Sequence, residues 1–272
     1  MASSGFRQGL DMIYASNDAT ELNEASALFR NVLADGVLAW SSQGADGFAA
    51  NALGPQTYDF WTPTALPATL SVTLGAAVEC DACAIIGHTL FTAGATVFVE
   101  WWDGSAWVTA HMVTPTDNRD LMLIFGAQTS AQWRIRVTGA AVMPSISVAM
   151  IGPRFIIPDG VAADYVPLNL ALDIDLAPSI TVKGQYVGTF VKRTGGATSI
   201  SLAQQSREWI EGDARPFIAH YNEGAPFVWS SCPDLLPDDM AYCWRSGGVL
   251  RASYGAGAVW GQMGLEVSAY VG

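Results

Sequence analysis

A mainly β protein is predicted: an antiparallel β-sandwich followed by a second β-rich domain that carries a short kinked helix. Three features predict it. Short apolar runs with period-two alternation recur along the chain, 27 glycines and 13 prolines punctuate them, and the stretch Ala95-Thr-Val-Phe-Val-Glu-Trp-Trp-Asp-Gly-Ser-Ala-Trp107 places β-formers on both sides of an Asp103-Gly104 turn. Phe98, Trp101, Trp102 and Trp107 bring enough apolar area to seed a core, so this hairpin is expected at the centre of the sandwich. With 272 residues the chain has room for more than one core. The expected division is an N-terminal arm over 1–30, a β-sandwich over 31–155 and the second β-rich domain over 156–272.

Taken in order, the arm contains one short helical pattern. Leu22, Ala25, Leu28 and Phe29 recur at helical spacing, with Asp18 and Glu21 as a variant capping box; the alternative is a tail ordered only on docking. From Asn31 the texture turns to β. Two apolar pieces flank Asp35-Gly36, and Ser41 to Gly47 is a loop. Thr69-Leu-Ser-Val-Thr-Leu74 alternates, which directs Leu70, Val72 and Leu74 to a core. Further strands are expected at Ala84–Gly87, Met112-Val113, Leu121–Phe125, Trp133–Val137 and Ser145–Ile151, making roughly eight strands in about 120 residues, the density of an antiparallel sandwich. In the second half Ala171-Leu-Asp-Ile-Asp-Leu176 sets Leu172, Ile174 and Leu176 on one face and Asp173 and Asp175 on the other. Ser206 caps a helix, Asp213 caps a second with Pro216 in its first turn, and Asn222 to Gly224 ends it. Ala258-Val-Trp260 and Leu265 to Val271 close the sheet.

Composition narrows the partners. Half of the residues are hydrophobic and 14% are charged, which excludes a largely disordered chain and suggests surface covered by partner subunits. The net charge is −12, from 25 acidic against 13 basic residues, and only Lys183 and Lys192 are lysines. A nucleic-acid binder needs a basic stripe, whereas Arg134 with Arg136 and Lys192 with Arg193 are isolated pairs; anionic membrane surfaces are disfavoured for the same reason. No apolar run reaches the length of a membrane span and no secretion signal is evident, so the chain is expected to be made in a cytoplasm with its four cysteines reduced.

Two segments carry resemblances. Asn31-Val-Leu, Trp40-Ser-Ser, Gly47-Phe-Ala-Ala-Asn51-Ala-Leu, Thr57-Tyr-Asp-Phe-Trp61, Ala68-Thr-Leu-Ser-Val-Thr-Leu-Gly75 and Ile85-Ile-Gly-His-Thr-Leu90, in that order, resemble the discoidin, or coagulation factor 5/8 type C, module over about residues 31 to 155. Gly54-Pro55 stands where many members carry Asp-Gly, and the terminal cysteine pair common in secreted members is missing. Ile200-Ser-Leu-Ala, Arg207-Glu-Trp-Ile210, Arg215-Pro-Phe-Ile-Ala-His220, Ala225-Pro-Phe-Val-Trp229 and Pro237-Asp-Asp-Met-Ala-Tyr-Cys-Trp244 resemble the C-terminal region of tail-tip proteins of tailed bacteriophages, over about residues 165 to 272. This second resemblance implies a structural role in a distal-tail or baseplate assembly.

Motifs for chemistry are sparse. Cys80-Asp-Ala-Cys83 is a lone C-x-x-C without the two further ligands a structural zinc needs, and reads as small apolar side chains at a strand start. His88, His111 and His220 adjoin no nucleophile; His88 reads as a hydrogen-bonded residue at a strand end. Asp234, Asp238 and Asp239 cluster around two prolines, where a carboxylate pair for glycoside hydrolysis competes with ordinary loop chemistry. Aromatic rings on sandwich loops stack on sugars, and Trp40, Trp61 and Trp107 are the glycan-contact candidates; the competing role for each is packing in a core or a subunit contact. The expectation is a non-enzymatic structural subunit of a bacteriophage tail tip or baseplate, resident in the virion tail. It would assemble in a ring with copies of itself and with other tail proteins, and its sandwich would touch host-surface glycans. No cofactor, metal, nucleic acid or membrane insertion is expected. A free-standing carbohydrate-binding lectin and a glycan-processing enzyme are the alternatives.

Overall fold

The computed structural model of the chain describes residues 12–17, 24–255 and 257–270. The first part of the chain forms β1 (Ile13–Ser16), β2 (Ala25–Leu28), β3 (Val37–Trp40), β4 (Ala68–His88), helix α1 (Leu90–Ala93), β5 (Thr96–Trp102), β6 (Trp107–Val113), β7 (Leu121–Thr138) and β8 (Ile146–Gly152). The remainder forms β9 (Phe155–Ile157), β10 (Leu172–Ile180), β11 (Tyr186–Ser206), α2 (Arg207–Glu211), α3 (Arg215–Asn222), β12 (Phe227–Ser230), β13 (Met240–Arg245), β14 (Ser253–Tyr254) and β15 (Trp260–Ala269).

The sandwich is built on β4 and β7, which pair antiparallel along most of their length and contribute to both layers. Register shifts between Thr73 and Val78 and between Cys80 and Ala82 mark the bend from one layer to the next. Residues 68–73 and 132–137 belong to a five-stranded layer in the order β3-β4-β7-β5-β6; residues 82–88 and 121–124 form the second layer with β8 against β4 and β1, parallel, against β7. Leu70, Val72, Val97, Val99, Trp133 and Ile135 from the first layer meet Cys83, Ile85, Leu123, Phe125 and Ile151 from the second in one core. The four strands expected at 69–74, 84–87, 121–125 and 133–137 are thus two long ones, because Gly75-Ala-Ala and Gly126-Ala-Gln, which carry little side chain to bury, remain extended across the bend. The Trp-rich hairpin forms as expected but not at the centre: β6 is an edge strand, and the middle of the layer is occupied by β4 and β7.

The second sheet runs β10-β11-β15-β13-β12-β2-β9, with β14 on β15. Residues 25–28, expected to be helical, are the strand β2, lying between β12 and β9; Leu22 and the Asp18–Glu21 capping pair lie outside the described residues. The physical reason is burial on both faces. Ala25 and Ala27 enter the core of the second domain while Leu28 enters a separate cluster, so all four positions are covered and the strand shows no polar alternation. The chain therefore leaves the second sheet after β2, builds the rest of the sandwich, to which β1 already belongs, and returns beside β2 as β9.

The separate cluster joins the two halves. Ala82, Ala84, Ile86, Met122, Ile124, Val148 and Met150 from the outer face of the second sandwich layer pack on Leu28, Val228, Met240 and Tyr242 of the second sheet. On the far side of that sheet, Trp209, Ile210, Phe217 and Tyr221 of α2 and α3 close the second core. Ser206 caps α2 by accepting the Trp209 N–H at 3.2 Å, as expected. Asp213 does not cap α3: Ala214 is the N-cap, and its helical φ/ψ leaves no extended cap residue whose side chain folds back. Asp239 is fully buried and ties the 158–171 connection to the sheet, accepting from Tyr165 Oη at 2.9 Å, from the Leu168 N–H at 2.6 Å and from Ser231 Oγ.

Asp120 is buried where the two halves meet and accepts the Gly87 N–H at 2.7 Å. Burial lifts its carboxyl from 3.8 to about 7, the Gly87 hydrogen bond only partly opposing the rise. In the unfolded chain the group ionises near 3.8 and in the fold only near 7, so the folded state holds the extra proton between those values and stability falls as pH rises through that window. Asp120→Asn keeps an acceptor for Gly87 and removes the charge. Its melting temperature is expected to exceed that of the parent chain at pH 8 and to match it at pH 4, measured by differential scanning calorimetry.

Candidate functional site

The outer face of the five-stranded layer carries an aromatic and charged array set by strand alternation. Val97 and Val99 face the core, so Phe98, Glu100 and Trp102 of β5 face outward; Trp133, Ile135 and Val137 face the core, so Arg134 and Arg136 of β7 face outward beside them. Register pairs Phe98 with Arg136 and Glu100 with Arg134. Glu100 sits between the two guanidiniums. Arg134 Nε donates to Oε2, Arg136 Nη2 donates to Oε1 at 2.6 Å, and Arg136 Nε lies 3.0 Å from Oε1. The Arg134 guanidinium lies 4.2 Å over the Trp107 ring and that of Arg136 lies 3.9 Å over Phe98, so each cation is held by a carboxylate at its side and a ring beneath it. Trp102 meets Trp107 edge-on with centroids 5.6 Å apart.

Local sequence explains why this corner is rigid. Asp103 Oδ1 accepts from the N–H groups of Ser105 at 2.7 Å and Ala106 at 2.8 Å, and Gly104 supplies the positive φ of 102° that the turn requires. A register shift after Val99, where Glu100 pairs with Thr109 and Ala110 is bypassed, lets both Trp102 and Trp107 lie at the outer corner. Desolvation pushes the Glu100 carboxyl up, but the hydrogen bonds and charges of Arg136 and Arg134 outweigh it and hold the group below its ordinary value.

The candidate tryptophans are placed apart. Trp107 belongs to the array and is half-buried. Trp40 is exposed on β3, the opposite edge strand of the same layer, four strand spacings away or about 19 Å. Trp61 is fully buried, its ring in the sandwich core and its Nε1 donating to the Ser42 carbonyl at 3.0 Å. It has no face open to a sugar, which corrects its selection: a tryptophan beside a loop was read as a loop residue, whereas a single β-bridge to Ile146 pins it inside.

No family model matches this chain and no curated protein matches it. Solved structures do. Chitosan-binding module 1 from the chitosanase/glucanase of Paenibacillus sp. IK-5 is 20% identical, with 45% of this chain and 98% of that one covered and a TM-score of 0.39. Module 2 of the same enzyme, in complex with chitotriose, is 18% identical over 43% of this chain and 96% of that one, with a TM-score of 0.38. The family 32 carbohydrate-binding module of NanJ from C. perfringens, in complex with galactose, is 17% identical over 47% of this chain and 98% of that one, with a TM-score of 0.39.

The other singled-out residues are occupied structurally. Cys80 and Cys83 are free thiols in the sandwich core; burial pushes the Cys80 thiol up to about 12 and Cys83 up further, so neither is a poised thiolate. His88 ends β4 with Nδ1 accepting from the Leu90 N–H, and burial lowers it to about 4. The acid cluster does not converge: Asp239 is closed by its three donors, Asp234 accepts from Tyr14 Oη at 2.7 Å, and Asp238 is exposed. A cavity of about 480 Å³ where the halves meet is lined by Asn31, Pro55, Met150, His220 and Tyr242. Its polar groups already serve the protein: Tyr242 Oη donates to the Pro55 carbonyl, and His220 Nε2 lies 2.8 Å from the Pro226 carbonyl.

Sequence reasoning missed Glu100, Arg134 and Arg136 as one unit. The alternation Phe-x-Glu-x-Trp and Arg-x-Arg was legible, but the pairing of β5 with β7, more than 30 positions apart, was not. Replacing Glu100 with Ala leaves two guanidiniums facing one another, and a loss of about 2–3 kcal/mol is expected at pH 7. Because the folded carboxyl is depressed, its contribution is fully present above the unfolded value of 4.5 and is lost as pH falls on through the lower, folded value. Urea denaturation of Glu100→Ala and parent chains is expected to diverge at pH 7 and to draw together as pH falls through the depressed value of the folded carboxyl.

Proposed function

We propose that this chain is a non-catalytic carbohydrate-binding protein whose sandwich presents the Trp102–Trp107 corner, with Arg134, Glu100 and Arg136, to a sugar. The observation that carries this reading is the half-buried, edge-on Trp102–Trp107 pair at the corner of the layer, with the Arg134 guanidinium 4.2 Å over the Trp107 ring. A pyranose stacks its C–H face on an aromatic ring while its hydroxyls need both donors and acceptors alongside. Glu100 engages one of the five donors of Arg134 and two of Arg136, which leaves guanidinium N–H groups over the Trp107 ring for the hydroxyls of a ligand seated at the corner.

A second reading, a structural subunit of a bacteriophage tail tip or baseplate that assembles with copies of itself, is favoured by a separate feature: the β10–β11 hairpin leaves large apolar side chains exposed. The two readings are compatible, since an assembled subunit also displays its sandwich.

Glycan-array binding followed by calorimetry tests the first reading. Trp107→Ala is expected to weaken binding of a positive glycan about tenfold or more, while Trp40→Ala leaves it unchanged. An array without a positive glycan, or a Trp107→Ala variant with parent-like affinity and circular dichroism, overturns the sandwich corner as a sugar platform.

A further inference from the structure

Where β11, β15 and β14 run side by side, the face of the second sheet turned away from α2 and α3 holds a trough that none of the described residues fills. Ile200, Leu202, Met263 and Leu265 enter the second core, so Ser201 and Ala203 of β11 and Gln262 and Gly264 of β15 face the other way. Register sets Ser201 opposite Gly264, and Ser253 of β14 opposite Gln262. The trough has two lobes, of about 410 and 240 Å³, and Ala203, Ser253 and Gln262 line both. Trp260 lines the larger lobe and is 55% exposed; Arg251 lines the smaller. From Trp260 to Gly264 the floor runs about 13 Å, at roughly 3.3 Å per residue, which is longer than one pyranose ring.

Two backbone features shape this trough. Gly264 is an extended strand residue, and a Cβ added to it would meet nothing within 4 Å, so its missing side chain leaves a gap opposite the small Ser201. Between Leu202 and Gln205 the register with β15 shifts, and inside that bulge Gln204 adopts a φ of 62°, a conformation that favours glycine. Gln205 beside it is fully buried, and its Nε2 donates to the Ala203 carbonyl at 3.3 Å, which holds the bulge in place. Gln204 itself is exposed, lines the larger lobe and makes no side-chain hydrogen bond among the described residues. A strained backbone that presents a long carboxamide at a trough, where glycine would sit without strain, is the kind of outlier that points to a binding role.

The polar side chains here are uncommitted, and their chemistry selects the ligand. Among the described residues Ser201, Gln204, Arg251, Ser253 and Gln262 form no side-chain hydrogen bond or ion pair, and no carboxylate or lysine lines either lobe. Two carboxamides and two hydroxyls offer donors and acceptors together, Arg251 adds donors, and Trp260 adds an apolar plane. That set complements a sugar, whose ring stacks on an aromatic face while its hydroxyls need both kinds of partner. A peptide strand would seek backbone partners, and those of β15 are already paired to β11 on one side and β14 on the other. A polyanion would find a single cation in a chain of net charge −12. A carboxamide is matched by a second amide, which returns an acceptor for its donor and a donor for its acceptor, and the gap at Gly264 leaves room for a methyl group. We propose that this trough is a second glycan site, on the second domain, for a short oligosaccharide that carries acetamido groups. It goes beyond the sandwich corner and does not depend on it.

A glycan array that sets acetamido sugars beside their hydroxyl counterparts, triacetylchitotriose beside cellotriose and N-acetylgalactosaminides beside galactosides, tests it. The full chain carries Trp107→Ala in this experiment, so that the sandwich corner does not contribute. Acetamido glycans are expected to bind, with the hydroxyl counterparts about tenfold weaker by titration calorimetry. Trp260→Ala is expected to weaken a bound acetamido glycan about tenfold or more. Gly264→Leu, whose Cβ meets nothing in the protein and whose side chain fills the gap, is expected to do the same at unchanged circular dichroism. Gln204→Gly is expected to weaken binding while its melting temperature stays at or above that of the parent, since glycine adopts the positive φ without strain. An array on which no acetamido glycan binds, or binding indifferent to Trp260→Ala and Gly264→Leu, overturns the trough as a glycan site. Equal affinity for acetamido and hydroxyl sugars overturns the acetamido assignment. The sandwich corner is judged separately, from the parent chain against Trp107→Ala.

Discussion

The structure depends on the antiparallel pairing of β4 with β7. These two strands run through both sandwich layers, so one pairing fixes the five-stranded layer at one end and the second layer at the other. Every other strand of the sandwich attaches to one of them or to β5, which itself hangs on β7. The second layer then does double duty. Cys83, Ile85, Leu121 and Leu123 face the sandwich core while Ala84, Ile86, Met122 and Ile124 face the second domain, so a single register decides both the sandwich interior and the seam between halves. A slip by one residue exchanges the two sets and exposes neither to water, but it mismatches large and small side chains in two cores at once.

That double burial explains why the composition is so poor in charge. Two clusters, the sandwich core and the one between the halves, absorb the apolar residues of the continuous runs Ala82–Ile86 and Leu121–Phe125, which a single sandwich with one solvated face would not tolerate. Partner subunits are not needed to account for those residues. The exposed apolar face of the β10–β11 ribbon is different: alternation is clean there, and among the described residues neither side is covered.

The two surfaces that stand out functionally differ in how they are built. The Glu100 array is preorganised: each guanidinium is fixed by a carboxylate and a ring. The ribbon is the reverse, two strands whose outer edges pair with no other strand among the described residues.

Strand type, the Asp103-Gly104 hairpin, the alternation of Leu70, Val72 and Leu74, the Ser206 cap and the two-faced pattern of Leu172 to Leu176 were all determined by the sequence alone, because each is set by contacts within a few residues. Tertiary structure decided the rest. Ala25 to Leu28 became a strand because two cores cover it, Trp61 went inside because a bridge to Ile146 holds it there, and Glu100, Arg134 and Arg136 became one group only when β5 lay beside β7. Periodicity tells which side chains share a face; what lies against that face is settled by pairings between distant residues, and no local pattern encodes them.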